Sequence, residues 1–278
     1  MSTYSQAVET ARTYYNSDDA DTFYFTIWGG EDIHVGLYES RDEPIADASR
    51  RTVERMAARL GPDLGKLRLL DLGGGYGGAM RHLAKTTGCR ATVLNLSEVE
   101  NERGRDMNRA QGVDHLVETI DGDFKHVPAD DASYDAAWSQ DAILHADDRS
   151  AVVAEVARVL KPGGSFVFTD PMQADDAPTH KLKPIYDRIH LQSLASPGYY
   201  NRVAAQHGLR LVAFEEHAEM IARHYGRVLD ELNGRGQEML SVGISQAYVD
   251  NMKRGLRHWI DGGNNGYLTW GIFHFRKA

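Results

Sequence analysis

The sequence predicts an α/β protein with a doubly wound, mostly parallel seven-stranded sheet, N-terminal helices and a helical lid. Between residues 66 and 171, short apolar segments alternate with segments of helical period, as in parallel sheets wrapped by crossover helices. The first apolar segment, 67–72, runs into a glycine-rich turn and then a helix, which is typical of nucleotide-binding folds. After residue 170 helical patterns predominate. We expect these helices to cover the carboxyl edge of the sheet, where ligands bind in such folds.

The strands are predicted from apolar runs bounded by turn residues, and the helices from apolar residues at helical spacing. The predicted strands are 67–72, 90–96, 117–120, 134–139, 165–169, 209–215 and 267–275. The predicted helices are 5–28, 44–60, 78–87, 97–110, 148–160, 180–193, 197–207 and 217–261. Pro44 opens the second helix, Ser97 caps the fourth, and the turn at 161–164 ends the fifth.

These elements divide the chain into three segments that we expect to form one compact unit. Residues 1–62 form an N-terminal helical cap, residues 63–172 a cofactor-binding core, and residues 173–278 the lid with the remaining strands. A chain of 278 residues with 42% hydrophobic residues is long enough to bury a large core.

Composition excludes several classes of partner. The net charge is −9 and no basic block occurs, which argues against a nucleic-acid partner. No apolar run reaches the length of about 18 residues that a membrane span needs, and the N-terminus lacks the apolar core of a signal peptide. The single cysteine, Cys89, cannot form an internal disulfide, which fits a reducing cytoplasm. Whether the protein is a monomer or a homo-oligomer stays open.

The most informative segment is the turn after the first strand, which reads Leu-Leu-Asp-Leu-Gly-Gly-Gly-Tyr-Gly-Gly over 69–78. Glycines are needed where a ligand approaches the backbone closely or where φ is positive. The acid at Asp71 suggests a ligand with hydroxyls or a cationic group. The same turn also fits a dinucleotide pattern, but that pattern expects an acid about 20 residues further on, and here the second strand ends at Asn95.

Three further motifs favour another cofactor. They are Asp121-Gly122-Asp123-Phe124, Ser133-Tyr134-Asp135-Ala136-Ala137-Trp138 and Lys161-Pro162-Gly163-Gly164. With the glycine turn, they resemble the class I S-adenosylmethionine-dependent methyltransferases over about residues 66–171. The resemblance implies that fold and S-adenosylmethionine as the cofactor.

The resemblance also implies roles for individual residues. Asp71 would organise the methionine amino group, and Gly73, Gly74 and Gly75 would make room for the cofactor. Asn95 stands where that family usually has an acid on the ribose hydroxyls, although an amide can still accept one hydrogen bond and donate another. Leu96 would flank the adenine, Asp123 would accept from its amino group, and Phe124 would supply a backbone donor. We also assign Trp28 and Gln140 to the cofactor. Asp123 could instead be a solvated turn acid.

The stretch Gln140-Asp141-Ala142-Ile143-Leu144-His145 resembles the matching stretch of phosphoethanolamine methyltransferases, as does 27–36. In that family a tyrosine and a histidine form a latch over the active site, and Tyr15 and His145 are the matching positions. The resemblance implies that these two are catalytic and that Asp141 meets the substrate ammonium. Alternatively, His145 only caps or packs a helix start.

The stretches 14–38 and 94–103 look most like the bacterial sarcosine/dimethylglycine N-methyltransferases, which make glycine betaine. In this light Asn95 is less unusual. A small amino-acid acceptor carries a carboxylate, and arginine binds carboxylates bidentately. Arg188 in the predicted lid is therefore the candidate clamp, with Tyr186 beside it; Arg202 and Arg223 are rivals, and an exposed helix arginine is the alternative.

Aromatic residues near the N-terminus offer a second recognition element. Tyr24 or Trp28 could face a methylated ammonium, and we assign Tyr24 to the substrate. The twelve histidines and the single cysteine form no metal-binding motif, so no metal is expected.

The main interpretation is a methyltransferase that converts dimethylglycine, and sarcosine as a second acceptor, to glycine betaine. The nearest alternative is a methyltransferase for another small amine such as phosphoethanolamine, or for a lipid, although the lid is polar (His180, Lys181, Lys183, Arg188 and His190). Alternatives of other classes are an NAD-dependent oxidoreductase and a non-catalytic cofactor-binding module. His145 or water could take the proton that the attacking amine must lose.

Overall fold

The computed structural model describes residues 6–188 and 191–278, and in it the seven predicted strands form one sheet. These strands are β1 Arg68–Leu72, β2 Arg90–Asn95, β3 Val117–Asp121, β4 Tyr134–Gln140, β5 Leu160–Thr169, β7 Leu209–Glu216 and β9 Gly271–Lys277. Their order is β3-β2-β1-β4-β5-β9-β7. β9 runs antiparallel to both of its neighbours and the other pairings are parallel. The prediction of a doubly wound, mostly parallel sheet is therefore confirmed.

Both faces of the sheet are covered by helices, so successive strand residues enter different cores. Leu69 packs with α3 (Ile45–Ala57) and α4 (Gly78–Thr87), whereas Leu70 packs with α6 (Arg149–Val159) and α8 (Pro197–Gln206). The same alternation separates Val167 from Phe166 and Phe168 on β5. Helix α5 (Glu98–Ala110) connects β2 to β3.

The N-terminal helical stretch is divided, where the sequence predicts one helix over 5–28. It forms α1 (Gln6–Tyr15), α2 (Asp18–Phe23) and a π-helical turn (Tyr24–Trp28). Ser17 has extended backbone angles, and its Oγ accepts from the N–H of Ala20 at 3.3 Å, so it caps a new helix instead of continuing the first.

The predicted helix over 217–261 is likewise three helices: α9 (Glu219–Gly234), α10 (Gly236–Ser241) and α11 (Gln246–Asn264). Gly243 has φ of 98°, and Ser245 Oγ caps α11 by accepting from Tyr248 N–H at 3.1 Å. The last predicted strand is also divided, because β8 (Leu268–Thr269) leaves the main sheet to pair with β6 (Met172–Gln173).

The remaining lid helix is α7 (Thr179–Arg188), which packs against α11. Ile189 and His190, within the helix predicted over 180–193, lie outside the described residues. Of the helices that the structure describes, none is long and apolar enough to cross a membrane. Within residues 6–188 and 191–278, no group of three His, Cys, Asp or Glu side chains is placed to hold a metal ion.

The strand order reverses between β1 and β4. The chain leaves β1 toward β2 and β3 and then returns to the other side of β1 as β4. A crevice opens at such a switch point, outside the carboxyl ends of the two strands. Because Asp71 pairs in register with Trp138, the glycine turn and the segment 140–145 meet at this crevice.

Candidate active site

Two cavities meet at the switch point. The first has a volume of about 990 Å³, counting its open mouth, and lies over the glycine turn. It is lined by the residues that the sequence assigns to the cofactor, except Trp28: Asp71, Gly73, Gly74, Gly75, Asn95, Leu96, Asp123, Phe124 and Gln140. The structure therefore brings together residues from four strand ends, as the motif order predicts.

The glycine turn leaves no space for side chains. A Cβ on Gly73, whose φ is 72°, would lie 2.4 Å from the Cβ of Ala142. A Cβ on Gly74 would lie 2.5 Å from Asp71 Oδ2. The bare backbone therefore forms the floor of the cavity, and a ligand can approach it closely.

Two polar groups in the first cavity lack partners. Asp71 is 2% exposed and makes no side-chain hydrogen bond or ion pair with any residue that the structure describes. Burial raises the pKa of Asp71 to about 7. Gln140 accepts from Trp138 Nε1 at 2.9 Å, while its buried Nε2 has no partner among the described residues. An anion and a donor so placed fit the ammonium and carboxylate of an amino acid, which is one end of S-adenosylmethionine.

The first cavity is also lined by Asn95, whose Nδ2 donates to Glu100 Oε2 at 2.9 Å. Glu100 lines the same cavity and is 3% exposed. Burial raises the pKa of its carboxyl to about 7. Sequence reasoning missed Glu100 because Ser97-x-x-Glu100 has the pattern of a helix capping box. Asp123 is partly engaged, since its Oδ1 accepts from Lys125 N–H at 2.9 Å.

Tyr15 and His145, which the sequence predicts to form a latch, are in contact, and both residues line both cavities. Tyr15 Oη lies 3.0 Å from His145 Nε2. Burial lowers the pKa of His145 to about 4 and raises that of Tyr15. Tyr15 therefore donates to a neutral imidazole. The latch closes the junction between the cavities from the side of α1.

Asp141, the residue directly after β4, faces the same junction. Its carboxylate is held on both sides, by Val35 N–H at 2.6 Å to Oδ2 and by Trp270 Nε1 at 2.8 Å to Oδ1. Burial raises the pKa of Asp141, and its φ of 53° is unusual for a residue with a side chain. The two hydrogen bonds fix the carboxylate so that it lines both cavities.

His34 also lines both cavities and was not singled out from the sequence. Its Nε2 lies 3.8 Å from Asp32 Oδ1, and Asp32 in turn pairs with Arg50 at 2.9 Å. Burial acts to lower the pKa of His34, but the neighbouring Asp32 carboxylate outweighs it and raises that pKa. The Asp32-x-His34 spacing was the available signal.

The second cavity has a volume of about 1060 Å³ and an aromatic wall. The aromatic side chains on it are Tyr14, Tyr15, Tyr24, Trp28, Tyr225 and Trp259. Tyr24, which the sequence assigns to the substrate, lines this cavity. Trp28 lies there too and does not line the first cavity, because the π-helical turn directs its ring against His224 and Tyr225, with centroids 5.1 and 5.8 Å away. The aromatic residues of α9 and α11 were not predicted.

Arg188 brings a guanidinium to the second cavity. Its Nη2 lies 2.8 Å from Met252 Sδ, and no carboxylate of the described residues is within ion-pair distance. Gly255 makes this position possible, because a Cβ there would lie 1.7 Å from Arg188 Nε. Tyr186 is not among the lining residues and instead donates to Gln173 Oε1 at 2.8 Å. Neither Arg202 nor Arg223 lines either cavity.

The chain is similar to known proteins over nearly its whole length. Residues 70–168 match a family model described as "Methyltransferase domain". The chain is 56% identical to the sarcosine/dimethylglycine N-methyltransferase of Halorhodospira halochloris, over 98% of each chain. It is 49% identical to the dimethylglycine N-methyltransferase of Parasynechococcus marenigrum (strain WH8102), over 98% of this chain and 96% of that one. The crystal structure of a proposed sarcosine dimethylglycine methyltransferase from Galdieria sulphuraria superposes with a TM-score of 0.90 at 42% identity, covering 95% of this chain and 99% of that chain.

Proposed function

The chain belongs to the sarcosine/dimethylglycine N-methyltransferases, and on that premise we propose that its two cavities hold the two partners of one methyl transfer. It is an S-adenosylmethionine-dependent N-methyltransferase of glycine betaine synthesis, and S-adenosylmethionine is its methyl donor. We propose that dimethylglycine is its acceptor and that sarcosine is a second one. The family assignment excludes the two alternatives of other classes, an NAD-dependent oxidoreductase and a non-catalytic cofactor-binding module.

The first cavity is proposed to hold the methyl donor. Asp71 and Gln140 would bind its amino-acid end, and the bare backbone at 73–75 would admit it. Leu96 and Phe124 would flank the adenine, with Asp123 accepting from the adenine amino group. When bound, S-adenosylmethionine supplies a methyl group that is attached to its sulfonium sulfur. A neutral amine can accept this methyl group.

The observation that carries the acceptor assignment is the guanidinium of Arg188. It stands in the second cavity, and no carboxylate of the described residues, Asp141 included, lies within ion-pair distance of it, so a carboxylate from the ligand would complete it. Arginine is suited to this because its planar fork binds a carboxylate with two parallel hydrogen bonds. A small amino acid held there by its carboxylate directs its nitrogen along the cavity. Phosphoethanolamine would bring a dianion to the same single guanidinium.

The aromatic wall suits the nitrogen end of this acceptor. Tyr24 and Trp28 line the cavity together with Asp141, and aromatic faces attract alkylated ammonium groups by about 0.5–2 kcal/mol. Asp141 adds a carboxylate that is already oriented by Val35 and Trp270. These groups would stabilise the positive charge that the nitrogen gains, while the closed latch excludes water.

In this proposal His145 does not accept the amine's proton at neutral pH. Its pKa of about 4 keeps the imidazole neutral, and its Nε2 already accepts from Tyr15. We therefore propose that the site takes the neutral form of the amine, whose proton passes to solvent. If the amine pKa lies about two to three units above the working pH, this selection costs roughly 3–4 kcal/mol.

Parallel assays of glycine, sarcosine, dimethylglycine and phosphoethanolamine as acceptors test the proposal. We expect the highest kcat/KM for dimethylglycine, a lower one for sarcosine, and none above background for phosphoethanolamine. Arg188→Ala should raise the acceptor KM by about 10–100-fold, as loss of a charge-assisted pair predicts, and leave the S-adenosylmethionine KM within about threefold. Arg202→Ala, an exposed lid arginine, is the matched control. Unchanged acceptor kinetics in Arg188→Ala would remove Arg188 from the site.

The proposal also covers the location of the protein and the organisation of its segments. We propose a cytoplasmic location, because Cys89 is a free, buried thiol that suits a reducing compartment. We also propose that segments 1–62, 63–172 and 173–278 act as one unit, since each contributes residues to the second cavity.

A further inference from the structure

Met252 is a methionine at the contact between the lid helices α7 and α11. Of the methionines that the structure describes, it alone lines either cavity. Its Sδ lies 2.8 Å from Nη2 of Arg188, and no other acceptor among the described residues bonds to that guanidinium. Because Met252 and Gly255 are three residues apart on α11, the thioether and the space left by Gly255 lie on one face of the helix.

The thioether is a poor partner for the group that it contacts. A thioether sulfur is a weak hydrogen-bond acceptor, whereas a guanidinium offers five N–H donors. The contact therefore leaves most donors of Arg188 free for an oxygen ligand in the second cavity. A stronger acceptor at the position of Met252 Sδ would compete for these donors with any carboxylate that enters the cavity, because an arginine needs two adjacent N–H groups to bind a carboxylate bidentately.

Oxidation of the sulfur would create such an acceptor. It converts a methionine into a polar sulfoxide, and dedicated reductases reverse the change. Met252 is 4% exposed, but the cavity that it lines opens to solvent, so a molecule as small as hydrogen peroxide can reach it. Met107, on α5, is partly exposed and lines neither cavity. Four other methionines are fully buried in the core: Met56, Met80, Met172 and Met239.

We propose that Met252 is an oxidation-sensitive modification site, and that its sulfoxide prevents the acceptor from binding to Arg188. A lone pair of Sδ forms a bond to one oxygen of hydrogen peroxide while the O–O bond breaks. The sulfur is oxidised by two electrons, and the peroxide is reduced and leaves as water. The new oxygen is bonded directly to Sδ, so it accepts from the guanidinium in place of the acceptor carboxylate. This inference rests on the proposed binding of that carboxylate by Arg188.

Treatment of the protein with hydrogen peroxide, followed by steady-state kinetics and peptide mass spectrometry, tests the inference. Oxidation of Met252 should raise the dimethylglycine KM by about 10–100-fold, as loss of a charge-assisted pair predicts, and leave the S-adenosylmethionine KM within about threefold. Methionine sulfoxide reductases A and B, with a thiol reductant, should restore the KM. Peroxide should not raise the KM of Met252→Leu above that of its own untreated form. Met107→Leu, the matched control, keeps Met252 and should show the full rise.

A variant that needs no oxidant separates this effect from general oxidative damage. Met252→Gln brings an amide oxygen to the guanidinium and should raise the dimethylglycine KM without peroxide, whereas Met107→Gln should not; thermal unfolding checks that both variants fold. The inference is overturned by an unchanged KM after oxidation of Met252, by an equal rise in treated Met252→Leu, or by a Met252 that stays unoxidised while Met107 is converted. Failure of the acceptor proposal would appear separately, as unchanged acceptor kinetics in Arg188→Ala.

Discussion

Gly255→Ala is the substitution that tests the proposed acceptor cavity most directly, because it moves Arg188 without removing any of its atoms. The added Cβ would lie 1.7 Å from Arg188 Nε, 2.3 Å from Cδ and 2.7 Å from Cζ. Since an ordinary contact needs 3.4 Å or more, Nε must move by about 1.7 Å. The arginine side chain is flexible, so the protein can still fold by moving it aside.

The expected effect follows from that displacement. A misplacement of about 1 Å at a positioning group can cost about 100-fold in rate, and a bidentate guanidinium–carboxylate pair tolerates little misalignment. We therefore expect kcat/KM for dimethylglycine to fall by about 10–100-fold, which is about 1.4–2.7 kcal/mol. Stability should not fall in parallel. Alanine is favoured over glycine inside a helix by about 0.8–1 kcal/mol, which offsets part of the cost of moving Arg188.

Steady-state kinetics with each substrate varied, together with thermal unfolding, provide the assay. Gly226→Ala is the matched control, because Gly226 lies inside α9 and a Cβ there would meet nothing within 4 Å. The control should keep natural kinetics and gain the helix propensity. If Gly255→Ala leaves the dimethylglycine KM and kcat unchanged, Arg188 does not bind the acceptor in the position that the structure gives it.

Two further predictions concern proton equilibria. The rate of methyl transfer should rise from neutral to alkaline pH as the amine loses its proton. His145→Gln should lower the rate and keep this rise, because His145, with its pKa of about 4, is already neutral throughout that range; a flat single-turnover profile in the variant would identify His145 as the base. The pKa of Asp71 is about 7 in the folded protein without ligand and about 3.9 in the unfolded chain. Because the folded state binds this proton more tightly, the free energy of unfolding falls as pH rises from about 4 to 7. Asp71→Asn removes this loss, so the free energy of unfolding of the variant, relative to that of the natural protein, should grow by up to about 3 kcal/mol between pH 5 and pH 8. Binding of S-adenosylhomocysteine should be lost in the same variant. A difference in stability that does not change with pH would contradict the raised pKa of Asp71.

The cofactor half of the site could be predicted from the sequence because its residues are local to strand ends. Asp71 and the glycines follow β1 directly, Asn95 ends β2, and Gln140 ends β4. Once the alternation of strands and helices is recognised, parallel strand ends must meet at one edge. The prediction therefore needs no knowledge of how distant helices pack.

Glu100 shows where local patterns mislead. Its place three residues after Ser97 matches a capping box, and one half of that box is formed. Only the tertiary structure, which places Asn95 beside it, shows that the carboxylate faces the cavity. Trp28, predicted to contact the cofactor, lines only the second cavity for a similar reason. No sequence pattern predicts the π-helical turn that directs its ring.

The second cavity, the proposed acceptor site, depends on packing between segments that are far apart in the sequence. Arg188 on α7 can lie in the second cavity only because α11 presents Gly255 at the contact. From the sequence, that glycine is a weak point in a helix and Arg188 is one lid arginine among several. Placed together, the two explain each other: the missing side chain of Gly255 costs helix stability and provides the space in which the guanidinium lies. If Arg188 binds the acceptor carboxylate as proposed, selection of a small carboxylate acceptor depends on the fit between α7 and α11, and substitutions at their contact should change acceptor preference without touching the glycine turn.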